Sequence, residues 1–162
     1  MLKFGKRALL PDAPPGHIGV ACQCSIGLRG SEMAREEPWH VGNETTNFII
    51  PPSKHDPEWR SVPIPAAEVP LFDKLRACLP FPRRTYPAMF RRVCHAYQSE
   101  ATPHDARRFF ATCNRCLDVP LTTIQFYLRH KSTQTTEIYI RTMAATWHSF
   151  MQKHFHPVPS IS

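Results

Sequence analysis

Apolar positions in this 162-residue chain fall mostly at helical spacing. Ile18, Ala21, Cys22, Ser25 and Ile26 make a mostly apolar face, which predicts a helix over 17–35 whose end is loosened by Gly27 and Gly30. The period changes over 44–64. Phe48-Ile49-Ile50 and Ser61-Val62-Pro63-Ile64 are strand-like, and the turn-rich stretch 51–60 between them predicts a hairpin carrying Lys54 near its first arm. Val69, Leu71, Phe72, Leu75 and Leu79 predict a helix over 66–79, followed by proline-rich 80–87 and a helix at about 88–98. Thr102-Pro103-His104-Asp105 is a clean helix start: Thr102 can cap, Pro103 suits the first helical position and Asp105 completes a capping-box pattern. That helix runs to about Leu117 and breaks at Asp118-Val119-Pro120. A helix over 121–129 follows, with Ile124, Tyr127 and Leu128 on one side, then a short one opened by Ser132 or Thr133 and reaching Tyr139. Met143, Trp147, Phe150, Met151 and Phe155 make an amphipathic strip over 142–155. The expected class is α+β, mainly α, with a small antiparallel sheet or hairpin near the N-terminal third. Residues 1–16 read as a linker or remnant, 17–156 as the domain and 157–162 as a tail.

Composition narrows the function classes. No apolar run approaches the ~18 residues of a membrane span, and the charged start Met1-Leu2-Lys3 lacks the apolar stretch of an export signal. A reducing, cytoplasmic setting is therefore expected, with the six cysteines as free thiols. Cys22-x-Cys24 and Cys113-x-x-Cys116 invite a zinc reading, but the second pair lies one turn apart in a helical pattern beside Phe109, Phe110 and Leu117, so buried thiols are expected, and no metal or cofactor. The net charge is +7 and the pI about 9.4. Residues 1–80 hold 9 basic and 9 acidic side chains, whereas 81–162 hold 11 and 4, with six of the nine histidines. All the excess charge lies in the second half, and a local basic face points to phosphate, hence to nucleic acid.

The chemistry concentrates between Thr102 and Arg141. His104 and Arg107, three apart at a helix start, project from one face. His130 follows Arg107 by 23 residues and Tyr139 follows His130 by nine. This order resembles the tyrosine recombinase (phage integrase) family, whose hallmark is H-x-x-R, then a His or Trp after a helix, then a Tyr nucleophile. Upstream, "IGLRGSEMARE" resembles the family's first box, with Arg29 as its arginine and Glu32 in the neighbouring carboxylate position, and "SKHDPEWRSVPIP" resembles its hairpin segment, with Lys54 in place. The resemblance spans roughly 17–155, and a nucleoid-associated role on DNA goes with it.

The residue types suit such chemistry. Guanidinium groups of Arg29 and Arg107 can grip the non-bridging oxygens of a phosphodiester and stay charged at any working pH. A phenol has a pKa near ~10, so Tyr139 needs help in losing its proton. His104 suits a general base or a phosphate-orienting group, and His130 a hydrogen-bond donor to a phosphate oxygen. The resemblance implies Lys54 as the general acid for the leaving 5′-oxygen, a 3′-phosphotyrosyl intermediate, double-stranded DNA as partner, and a homotetramer on DNA through the 142–155 segment.

The pattern is departed from in three places. Arg129 precedes His130 where the family usually has Gly, Ala106 replaces a larger apolar residue, and the chain begins almost at the catalytic domain, without the helical DNA-clamping domain that usually precedes it. Other readings stay open: a type IB topoisomerase, a zinc-dependent protein, or a non-catalytic DNA-binding module using residues 105–130 as helix, turn and helix, with Arg108, Arg115, Arg129 and Lys131 on phosphate.

Overall fold

A computed structural model describes residues 7–33, 47–50, 52, 57–79, 81–82, 84–140 and 158–159. The class is mainly α with one two-stranded antiparallel sheet among the described residues. Helix α1 (Pro15–Ile26) starts on a proline, whose missing N–H costs nothing in a first turn. It is apolar on nearly every side and runs through the middle of the core.

The single helix expected over 17–35 is in fact two. Gly27 ends α1 in the left-handed conformation (φ 65°), and a four-residue helix α2 (Gly30–Met33) follows. Both backbone and space demand glycine here. A Cβ on Gly27 would lie 2.7 Å from a Phe110 ring carbon and 2.9 Å from a Leu128 methyl. The break turns Leu28-Arg29 out of the helical path.

Strands β1 (Asn47–Ile50) and β2 (Arg60–Pro63) pair antiparallel, with Phe48 opposite Val62 and Ile50 opposite Arg60. The expected hairpin is therefore present, while Lys54 lies outside the described residues. Phe48, Ile50 and Val62 face the core. A 3-10 turn (Ala66–Glu68) leads into α3 (Val69–Cys78), where Phe72 meets Phe48 edge-on at 5.4 Å. Helix α4 (Tyr86–His95) starts two residues before the expected 88 because Pro87 is accommodated in the first turn. It also stops earlier, and Gln98 reverses the chain at φ 56°.

The capping box opens α5 (Pro103–Cys116) as expected: Thr102 Oγ1 accepts from the Asp105 N–H at 3.3 Å, and Asp105 accepts from the Thr102 N–H at 3.0 Å. Helix α6 (Leu121–Leu128) ends on Arg129, and α7 (Thr133–Ile140) closes the set, packed on α5 and α6. Helices α3, α4 and α5 surround α1. Cys113 and Cys116 pack with Phe109 and Leu117, and burial pushes the Cys113 thiol up to about 12. The 142–155 strip lies outside the described residues. Beyond it, Val158 is buried and its N–H donates to Asn114 Oδ1 at 3.0 Å. Among the described residues no helix is long and apolar enough to cross a membrane.

Candidate active site

Arg29, His104, Arg107 and His130 line one cleft of about 380 Å³, with Gly30 and Pro103. Each arrives by a different local device. Arg29 stands in the three-residue step that Gly27 opens between α1 and α2. His104 occupies the first turn of α5, fixed by the capping box. Arg107 lies one turn further along and is 4% exposed. His130 follows the left-handed residue that ends α6.

Arg107 owes its burial to backbone oxygens. Its guanidinium donates to the Gly27 carbonyl (Nη1 to O, 2.6 Å) and to the Leu128 carbonyl. These oxygens close the C-terminal ends of α1 and α6, where the helix dipoles are negative. A fixed positive charge thus sits at the base of the cleft, held by the carbonyls that close two helices.

Arg29 is held from behind. Glu32, 1% exposed, accepts from Arg29 Nη1 at 2.9 Å and from the Arg29 backbone N–H at 2.6 Å. Arg29 Nη2 also donates to the Arg129 carbonyl at 3.2 Å. Arg129 is itself buried against Glu32, donating from Nε (3.2 Å) and Nη2 (2.5 Å) to the two carboxylate oxygens. Its Nη1 donates to the Tyr127 carbonyl. The residue keeps the left-handed conformation that glycine would favour (φ 53°, ψ 42°).

His130 is braced on three sides. Gln125 Nε2 donates to its carbonyl at 2.9 Å, its N–H donates to the Gln125 carbonyl at 3.2 Å, and its Nδ1 lies 3.0 Å from the hydroxyl of buried Thr136 on α7. Burial, then the charges of Arg107, Arg29 and Arg129, lower its pKa from 6.5 to about 4. The imidazole is neutral at pH 7, with one ring nitrogen protonated and the other an acceptor. A second cleft of about 300 Å³ adjoins through His130 and carries Arg60, Lys131, Thr122, Gln125 and Phe126.

Of the six expected residues, four are thus brought together. Lys54 lies outside the described residues. Tyr139 falls in the last turn of α7, next to the site's supporting helices, and its side chain lies outside what is described. The sequence reading missed Gln23. This fully buried amide donates to the carbonyls of Leu28 (3.0 Å) and Pro103 (2.8 Å) and accepts from the Tyr86 hydroxyl (2.7 Å). It fixes the residues that immediately precede Arg29 and His104. A single amide within an apolar helix was the available signal.

No family model matches the chain, and no curated protein is similar to it. Solved structures do match. The XerA recombinase superposes with a TM-score of 0.70 at 19% identity, over 94% of this chain and 63% of that one. The Tn1549 transposon integrase, in complex with transposon right end DNA, gives 0.63 at 15% identity, over 86% of this chain and 58% of that one. The integrase of mycobacterium phage Brujita gives 0.63 at 16% identity, over 98% of this chain and 59% of that one. The chain therefore has the fold of the tyrosine recombinases and integrases, the class its residues resemble. It spans about three-fifths of the length of these structures.

Proposed function

We propose that this chain is the catalytic domain, over 17–156, of a tyrosine recombinase or integrase that cuts and rejoins double-stranded DNA. The carrying observation is the cleft in which Arg29, His104, Arg107 and His130 meet, though up to about a hundred residues separate them. Two guanidiniums and a neutral imidazole donor suit the non-bridging oxygens of a phosphodiester, whose charge grows in the pentacoordinate transition state. In the tautomer of His130 whose Nδ1 accepts from Thr136, Nε2 carries the proton and suits a donor to that charge. In this reading the Tyr139 oxygen attacks phosphorus and gives up its proton to His104. The P–O5′ bond breaks, the leaving oxygen takes a proton from Lys54, and a 3′-phosphotyrosyl ester results. A DNA 5′-hydroxyl reverses the step. Arg60 and Lys131 in the adjoining cleft suit neighbouring phosphates, and a homotetramer assembled through 142–155 completes the reading.

The test is covalent trapping. Nicked suicide duplexes built on candidate attachment sites should leave protein on the 3′ end, and Tyr139→Phe should abolish the adduct while retaining binding. Binding by wild type with no adduct on any cognate site would instead make this a DNA-binding module.

A further inference from the structure

Arg129 stands out because two of its properties conflict. Its backbone adopts a left-handed conformation that disfavours any side chain, by an amount on the order of 1 kcal/mol for an L-residue. Its side chain is nonetheless 3% exposed, and a buried charge survives only when it is paired. The pairing is complete on the acceptor side. Glu32 Oε1 receives Arg29 Nη1 and Arg129 Nε, and Oε2 receives the Arg29 N–H and Arg129 Nη2. Four hydrogen bonds fill the carboxylate's acceptor sites. Arg129 also supplies the carbonyl that takes Arg29 Nη2.

The consequence is electrostatic. Arg29 paired with Glu32 alone would present a neutral couple to the cleft. With Arg129 included, the trio carries a net single positive charge, and the partly exposed member is Arg29, at 27%. We infer that Arg129 is a positioning residue: it neutralises Glu32 from the buried side, so that Arg29 is held in place by the carboxylate yet keeps its charge for an anion in the cleft. Glycine would satisfy the backbone and lose this function. The inference rests on the cleft as a phosphate site, and deepens that reading.

The experiment titrates the full chain with inorganic sulfate, at constant ionic strength, following the His104 and His130 imidazole resonances by NMR. Wild type should show saturable shifts at both histidines. Arg129→Gly should weaken sulfate by about tenfold, as expected for one charge at short range partly screened by water. Arg129→Gly with Glu32→Gln should recover to within about threefold of wild type, because the carboxylate no longer cancels Arg29. Equal affinity in Arg129→Gly and wild type, or no recovery in the double variant, overturns the inference while leaving the phosphate site intact. No sulfate shift in wild type overturns the site itself. If Arg129→Gly does not fold, Arg129→Gln with and without Glu32→Gln replaces it, with the same two outcomes.

Discussion

Replacing Gln23 by Leu keeps much of the volume and removes three hydrogen bonds at once. The Leu28 carbonyl and the Tyr86 hydroxyl would lose a buried partner, while the Pro103 carbonyl, inside α5, keeps its helical one. At roughly 1–3 kcal/mol for each group left unpaired, Gln23→Leu is expected to lower stability by more than about 2 kcal/mol, read from the urea midpoint. His130 gives a pH signature of its own. Its folded pKa of about 4 lies below its ordinary 6.5, so between these values the unfolded chain binds more protons. The contribution to stability is fully present above about 6.5 and is lost as pH falls towards 4. Urea midpoints measured across that window should decline with falling pH, and His130→Gln should flatten the decline. The reason Gln23 and Arg129 escape a reading of the sequence is the same: their partners are remote. Arg129 pairs with a residue 97 positions away, and Gln23 with one 80 positions away. His104 and Arg107, by contrast, are neighbours on one helix, so their spacing already states their relationship.

At the level of elements, the local rules were legible where they were self-contained. Thr102-Pro103-His104-Asp105 needs nothing beyond four residues to start α5, and the capping box is formed as written. Thr102→Ala should cost about 1 kcal/mol and lower the melting temperature by several degrees. The hairpin strands likewise follow from two short strand-like runs and the turn-rich stretch between them. The split of α1 from α2 does not, because apolar residues continue across it and a glycine inside a helical pattern is ambiguous. What decides is the crowding of Phe110 and Leu128 around Gly27. Gly27→Ala combines a left-handed backbone with two contacts under 3 Å, and is expected to destabilise by at least about 2 kcal/mol. Since the Gly27 carbonyl also receives Arg107, the same variant should weaken DNA binding, measured by anisotropy under conditions where it remains folded.

For the whole molecule, the proposed function would lay DNA across the two clefts. The basic excess belongs to 81–162, and two adjoining clefts share His130. Affinity for duplex DNA should therefore fall steeply with salt, and Lys131→Ala, in the second cleft, should reduce the log–log slope by about 1. A flat salt response would count against a phosphate-tracking face.

Arg107 carries one more implication. Its guanidinium donates to carbonyls at the ends of both α1 and α6, so an assembly with either end out of register takes a partner from a charge in a dry interior. Correct docking of two distant segments and completion of the anion grip are thus one event. A chain with either end undocked therefore lacks that grip as well as part of its stability.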